Sequence, residues 1–290
     1  MTIALDEIIA GREPGLHGQP AHHRYVVTIF GLYGRPCGNV VPVSALVRLL
    51  TDLGQEAASV RSSISRLKKK GVLVSEKVGG QSGYSLARDL EPHMRLGDER
   101  IFAPRTATLG DPWLLASFSV PENERKNRHK IRSGLARLGF GTVGPGLCIA
   151  PARLQDEALD YMEKHGLTGY VEFFVSEPVD VAGLPVKIAH WWDLDHFEGQ
   201  YRDFVDEYES QAGQWEGVRL DSDEGVLREA FRVYVSMVTE WRRLPYMDPG
   251  LPAELLPADW MGGRARQVFS ELHRALAPLS ARYAQRIIAG

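Results

Sequence analysis

The sequence predicts an α+β protein, because three patterns follow one another along its 290 residues. A basic helical pattern runs directly into a hairpin pattern, strands and helices then alternate, and long amphipathic helical patterns fill the last third of the chain. These patterns predict an N-terminal winged helix-turn-helix (20–90), a central ferredoxin-like β-α-β-β-α-β domain (112–180) and a C-terminal helical domain (181–290). Residues 91–111 show no clear periodicity, so we expect a linker there.

The first part of the chain predicts two helices before the basic one. Apolar residues follow a helical spacing over 25–33 and again over 44–53, with a short apolar strand at 40–43 between them. Gly54 then breaks the pattern before a third helix at about 55–70. Two helices joined by a short turn are typical of a helix-turn-helix.

The third helix has one face built to pack and one face built to bind. Val60, Ile64 and Leu67 fall within about 60° of one another on a helical wheel. The opposite side and its borders carry short hydroxyl groups and cations: Arg61, Ser62, Ser65, Arg66, Lys69 and Lys70. These side chains suit base edges and phosphates in a major groove. The alternative is an ordinary helix with a solvated charged face.

The segment after this helix favours the DNA-binding interpretation. Two short apolar segments, 72–78 and 84–86, flank the Gly-rich tip 79–83, which is a hairpin signal. A hairpin directly after a basic helix corresponds to the wing of a winged helix-turn-helix. We predict that Lys77, Gln81 and Ser82 contact the DNA backbone or the minor groove.

The charge distribution agrees with one DNA-binding module. The net charge is −3, but residues 1–90 hold 11 Lys and Arg against 7 Asp and Glu, and the remainder holds 23 against 30. A polyanion should therefore be attracted to the N-terminal third and repelled by much of the rest.

Composition argues against several other classes. No run approaches about 18 consecutive apolar residues, so we expect no membrane span, and the N-terminus does not have the pattern of a signal peptide. Cys37 and Cys148 lie far apart without metal-ligand spacing, as expected for free thiols in a reducing cytoplasm. We predict a cytoplasmic protein without a metal or cofactor.

The centre and the end of the chain supply the remaining elements. The central alternation predicts strands at 113–120, 140–143, 147–150 and 170–176 and helices at 122–138 and 154–165. Amphipathic helices follow at 192–213 and 223–243, then a Pro-rich connection at 245–257. The last helical segment, 263–289, is expected to form either one final helix or a pair of helices broken near Pro278.

Several phrases of the sequence, in this order and at these separations, resemble the PaaX family of bacterial transcriptional repressors over about residues 22–280. They are VVTIFGLYGRPCG at 26–38, VRSSISRLKKKGVL at 60–73, LGFGTVGPGLCIAP at 138–151, WDL at 192–194 and LPAELLPADWMGGRAR at 251–266. The resemblance implies a repressor released by a small effector, a phenylacetyl-CoA-like thioester in the namesake. Arg61 and Arg66 fall where the family pattern places recognition-helix arginines.

The central domain also resembles small CRISPR-associated endonucleases in outline, which raises the alternative of a metal-dependent nuclease. Those proteins hold the metal with an aspartate at the end of the first strand, whereas the end of this strand, 118–122, reads FSVPE and contains no aspartate. Glu122 is better placed to open the next helix. No Gly-x-Ser-x-Gly nucleophile motif is present, so we predict no catalytic residues.

A cationic run lies outside the N-terminal part of the chain, between residues 125 and 132. Arg125, Arg128, Lys130 and Arg132 could bind the phosphates of an acyl-CoA effector. The alternatives, which we favour, are a solvated helix face or a second contact to the DNA backbone.

Together these patterns predict a homodimeric, sequence-specific regulator that binds double-stranded DNA. The resemblance to the PaaX family implies that it represses a catabolic, phenylacetate-like operon and that an acyl-CoA-type effector relieves the repression. A protein–protein scaffold with a winged-helix head is the alternative.

Overall fold

A computed structural model of the chain describes residues 22–177 and 182–290. It divides into two compact units. Of the described residues, the first holds 22–102 together with Asp203–Arg243 and Gly263–Gly290, and the second holds 103–177, 182–202 and Leu244–Gly262. Residues of the expected C-terminal domain, 181–290, therefore contribute to both units.

The first unit begins with four α-helices and a small antiparallel sheet. The sheet has the strand order β1-β3-β2. The elements are α1 (His22–Ile29) continuing as a π-helical turn (Phe30–Gly34), β1 (Val40–Pro42), α2 (Val43–Asp52), α3 (Ala57–Lys69), β2 (Leu73–Val78), β3 (Gln81–Leu86) and α4 (Glu91–Phe102).

Helix α4 corrects the expectation of a linker at 91–111. Pro92 and Gly97 obscure its periodicity in the sequence, but proline is tolerated in the first turn of a helix, where no intrahelical partner is lost. Met94 and Ile101 are buried on one side of the helix, and packing on that side stabilises it.

The second unit contains a four-stranded antiparallel sheet with the order β5-β6-β4-β7. Its elements are β4 (Trp113–Phe118), α5 (Arg125–Arg137), β5 (Gly141–Gly144), β6 (Leu147–Pro151), α6 (Gln155–Lys164), β7 (Val171–Ser176) and α7 (Leu184–Trp191). The succession β4-α5-β5-β6-α6-β7 with this strand order is that of a ferredoxin-like fold.

Both faces of this sheet are covered. Helices α5 and α6 bury one apolar cluster, in which Ile131, Leu135 and Met162 are fully enclosed. On the other face Trp192 packs over Gly141, where a Cβ atom would lie 2.7 Å from the indole ring. The indole Nε1 donates to the Gly139 carbonyl at 2.8 Å, so this tryptophan is a core residue.

Four helices complete the chain: α8 (Leu194–Tyr208), α9 (Glu224–Trp241), α10 (Leu244–Met247) and α11 (Gly262–Ala289). Of the two possibilities for the last segment, the structure has the single helix, because α11 continues through Pro278. Leu276, Leu279 and Tyr283 are all buried, and their packing on both sides of the proline offsets its helix-breaking effect.

Helices α9 and α11 build the core of the first unit together with α1. The ring of Tyr33 lies 5.8 Å from that of Phe231, which lies 5.4 Å from that of Tyr283. The buried Thr239 hydroxyl donates to Thr28 at 2.9 Å. Within the described residues, no helix is both long and apolar enough to cross a membrane.

Candidate nucleic-acid interface

Helices α2 and α3 are joined by a tight turn that the sequence encodes at Gly54. This glycine has a φ of +77°, a conformation that costs a glycine little. The Gln55 amide donates a hydrogen bond to the Leu50 carbonyl at 3.1 Å. Only four residues therefore separate the end of α2 from the start of α3.

Helix α3 separates its apolar and polar side chains as the sequence predicts. Val60, Ile64 and Leu67 are buried, and Ser63 is buried with them at 3% exposure. All six residues predicted to contact DNA from this segment are exposed: Arg61, Ser62, Ser65, Arg66, Lys69 and Lys70. There is no acidic residue between Ala57 and Ser75, so this surface suits a polyanion.

The end of α3 passes directly into β2 through a Schellman motif. The Val72 amide donates to the Leu67 carbonyl at 2.9 Å and the Gly71 amide to the Lys68 carbonyl at 3.0 Å. Gly71 has a φ of +75°, as this motif requires. The motif fixes the direction in which the chain leaves the helix and enters the hairpin.

The β2–β3 hairpin is longer and tighter than expected. Its turn consists of Gly79 and Gly80, both with positive φ, as in the two-residue turns that match strand twist. Gln81 and Ser82, expected in a loop at the tip, instead belong to β3, where they pair with Val78 and Lys77. Their side chains and that of Lys77 are exposed, so they remain accessible to a ligand.

Two contacts organise this surface that the sequence alone did not reveal. The Lys68 ammonium lies 5.4 Å from the centre of the Tyr84 ring, a cation–π contact between α3 and the hairpin. The Arg66 guanidinium lies 3.4 Å from the Ser62 hydroxyl, one helical turn away. The spacing of Ser62 and Arg66 could have suggested the second contact, but only the fold brings Tyr84 to Lys68.

The predicted effector-binding cations on α5 do not form one surface. Arg128 donates to the Val120 carbonyl at 2.8 Å and pairs with Glu122 at 3.4 Å, so its guanidinium is engaged within the unit. Arg125, Lys130 and Arg132 are exposed. Lys130 lies about 140° around the helix from Arg125, so only Arg125 and Arg132 share a side.

Acidic side chains that could serve a nuclease do not converge. Among residues 22–177 and 182–290, no three His, Cys, Asp or Glu side chains are grouped so as to hold a metal ion. Glu122 is exposed and forms an ion pair with Arg128.

Comparison with known families gives three consecutive matches. Residues 23–90 match the family described as PaaX-like protein, residues 106–185 the PaaX protein central Cas2-like domain, and residues 192–286 the PaaX-like protein C-terminal domain.

One characterised relative and one solved structure extend these matches. The chain is 26% identical over 257 residues to the transcriptional repressor PaaX of Escherichia coli (strain K12), covering 86% of this chain and 79% of that protein. The uncharacterized protein Rv0674 from Mycobacterium tuberculosis has the same fold, with a TM-score of 0.54, 21% identity and 97% coverage of both chains. The similarity to a repressor supports a DNA-binding, non-enzymatic regulator. The chain belongs to the PaaX family, as three successive family matches and the similarity of most of the chain to a repressor show.

Proposed function

We propose that the protein is a sequence-specific repressor in which α2, α3 and the β2–β3 hairpin form a winged helix-turn-helix. The observation that carries this proposal is the exposed face of α3, which presents hydroxyls and cations without an acid and leads directly into a hairpin. In this arrangement Ser62, Ser65 and Arg66 approach base edges. Arg61, Lys69 and Lys70 hold phosphates.

The hairpin acts as the wing. Lys77, Gln81 and Ser82 are exposed along its two strands, where they can reach the backbone beside the major groove. A homodimer would place two α3 helices in major grooves about one helical turn apart, or a multiple of it. A repressor acting on the chromosome of a bacterial cell works in the cytoplasm.

The proposal also extends to the regulated operon and the effector. We expect a catabolic, phenylacetate-like operon and an acyl-CoA-type effector, in line with the resemblance to the family namesake. Arg125 and Arg132 are the cations on one side of α5 that could meet its phosphates. Effector binding would lower operator affinity through a coupling of about 1–3 kcal/mol.

The test is fluorescence anisotropy with the DNA upstream of the protein's own gene, competitor DNA and a salt series. We expect binding that resists competitor, weakens with salt as phosphate contacts are screened, and is relieved by phenylacetyl-CoA but not by free coenzyme A. Specific binding that phenylacetyl-CoA does not change would rule out this effector but would still support a DNA-binding repressor. Absence of salt-dependent affinity for upstream or genomic DNA would favour a protein–protein scaffold.

A further inference from the structure

The first unit contains an open cleft that the proposed DNA-binding surface does not use. Its volume is about 750 Å³, within the range of small-molecule sites. The cleft borders the π-helical turn Phe30–Gly34 on one side and α4, α9 and α11 on the others. π-Helical turns inside helices are frequent at functional sites.

Arg35 presents a carboxylate-binding fork in this cleft. Its Nη2 and Nε atoms donate to the two Glu91 oxygens at 2.6 and 3.1 Å, and its Nη1 atom donates to Asp98 at 2.6 Å. The Arg35 side chain is only 18% exposed, whereas that of Glu91 is 59% exposed. The arginine is thus fixed from one side by Asp98 and covered on the other by a carboxylate that faces solvent.

Glu91 reaches this fork from the solvent side. Its own side chain is 59% exposed, while the planar guanidinium keeps its two-pronged geometry for any carboxylate. Glu91 therefore shows that a carboxylate fits the fork side-on.

The remaining walls suit the organic part of a ligand. The Phe102 ring lies 5.0 Å from the ring of His273, whose Nδ1 atom is 2.8 Å from the Tyr234 hydroxyl. Next to the cleft, and sharing Phe102 and Asp98 with it, lies an apolar recess of about 30 Å³. A small ligand with an acid group and an apolar body matches both features.

We propose that this cleft binds a small organic carboxylate, which takes the place of Glu91 on Arg35. Glu91 starts α4 soon after β3 ends, so its release would loosen the link between α1 and the exit of the hairpin. The site itself stands on the geometry of the cleft; only an effect on operator affinity rests on the proposed DNA-binding function.

The test is fluorine NMR titration of the full-length protein with para-fluorobenzoate, with para-fluorobenzamide as the uncharged match. We expect weak binding of the acid and none of the amide. Glu91→Gln should tighten the binding of the acid about five-fold, because it removes the internal competitor. Arg35→Gln should abolish binding. Glu99→Gln, which removes an exposed carboxylate from the same helix, should leave it unchanged.

A gain in affinity on removing a carboxylate is not expected from a purely structural ion pair. Equal affinities of Glu91→Gln and Glu99→Gln would overturn the proposal, even if Arg35→Gln fails to fold, and so would undetectable binding to both the wild type and Glu91→Gln. The titration contains no DNA, so its outcome is independent of whether the protein binds an operator.

Discussion

Arg66 is the residue on which base recognition is expected to depend most. It is exposed on α3, close to Ser62, and arginine reads guanine through two parallel hydrogen bonds. Arg66→Ala should weaken binding to the operator by about 1–3 kcal/mol and relax specificity at one position. Competition anisotropy with single-base operator variants measures both effects.

Lys77→Ala on the hairpin is the matched control, because a phosphate contact carries no sequence information. It should weaken binding to all sequences alike and reduce the salt dependence. If Arg66→Ala weakened all sequences equally, Arg66 would be a phosphate contact and its assigned role would be wrong.

His273 makes the stability of the first unit sensitive to acid. Burial beside Phe102, Phe269 and Tyr234 lowers the pKa of His273 below its ordinary 6.5. The neutral imidazole is therefore favoured in the folded state. The contribution of this neutral imidazole to stability is fully present above the pKa that His273 has in the unfolded chain. It is lost as the pH falls through the lower pKa that His273 has in the folded protein.

The expected result is that the wild type loses more stability on acidification than His273→Gln does. Urea unfolding midpoints at about pH 7.5 and about pH 5 measure this difference. The comparison cancels the contributions of all other residues, because they are the same in both proteins. Parallel pH profiles would show that His273 does not contribute.

At the scale of elements, the junction between α3 and the hairpin depends on Gly71. A Cβ atom there would meet nothing within 4 Å, so a substitution would be costly only because of the positive φ. Gly71→Ala should reduce the free energy of unfolding by about 1 kcal/mol, and Gly71→Asn by less, because asparagine tolerates this conformation better. Chemical denaturation compares the three proteins, and equal stability of all three would contradict the Schellman geometry.

Periodicity identified the elements whose apolar residues repeat cleanly. Helix α3 was predicted at 55–70 and lies at 57–69, and the β-α-β-β-α-β succession was predicted in the correct order. Helix α4 was missed because Pro92 and Gly97 interrupt the pattern. At Pro278 the sequence left one helix or a broken pair open, because a local rule for proline does not include the packing of Leu276 and Leu279.

At the scale of the whole molecule, the segment expected to form the winged-helix head packs against helices from the end of the chain. The Tyr33 hydroxyl is hydrogen-bonded to Ser280, and Tyr283 donates to Asp52 at 2.7 Å. Together with the contacts of Phe231 and Thr239, these bonds join α1 and α2 to α9 and α11. A fragment of residues 22–90 would expose the buried side chains of α1 to water.

Such a fragment should therefore fail to unfold cooperatively, because the apolar surface it buries is too small to offset the entropy of ordering the chain. Circular dichroism and chemical denaturation of the fragment, with the full-length protein as the control, test this expectation. A cooperative transition in the fragment would show that α9 and α11 are dispensable for folding.

By itself, the sequence determined the succession of helices and strands apart from α4, and the exposed basic face of α3, because both depend on the local spacing of apolar and charged residues. Only the tertiary structure decided that Arg128 turns to the Val120 carbonyl, that Arg35 meets Glu91 and Asp98, and that α9 and α11 complete the core around α1. The contacts of Arg35 and of α9 and α11 join residues far apart in the chain, and the Arg128 bond joins α5 to the segment that precedes it. Their geometry follows from packing between elements, which the spacing of residues within any one element does not encode.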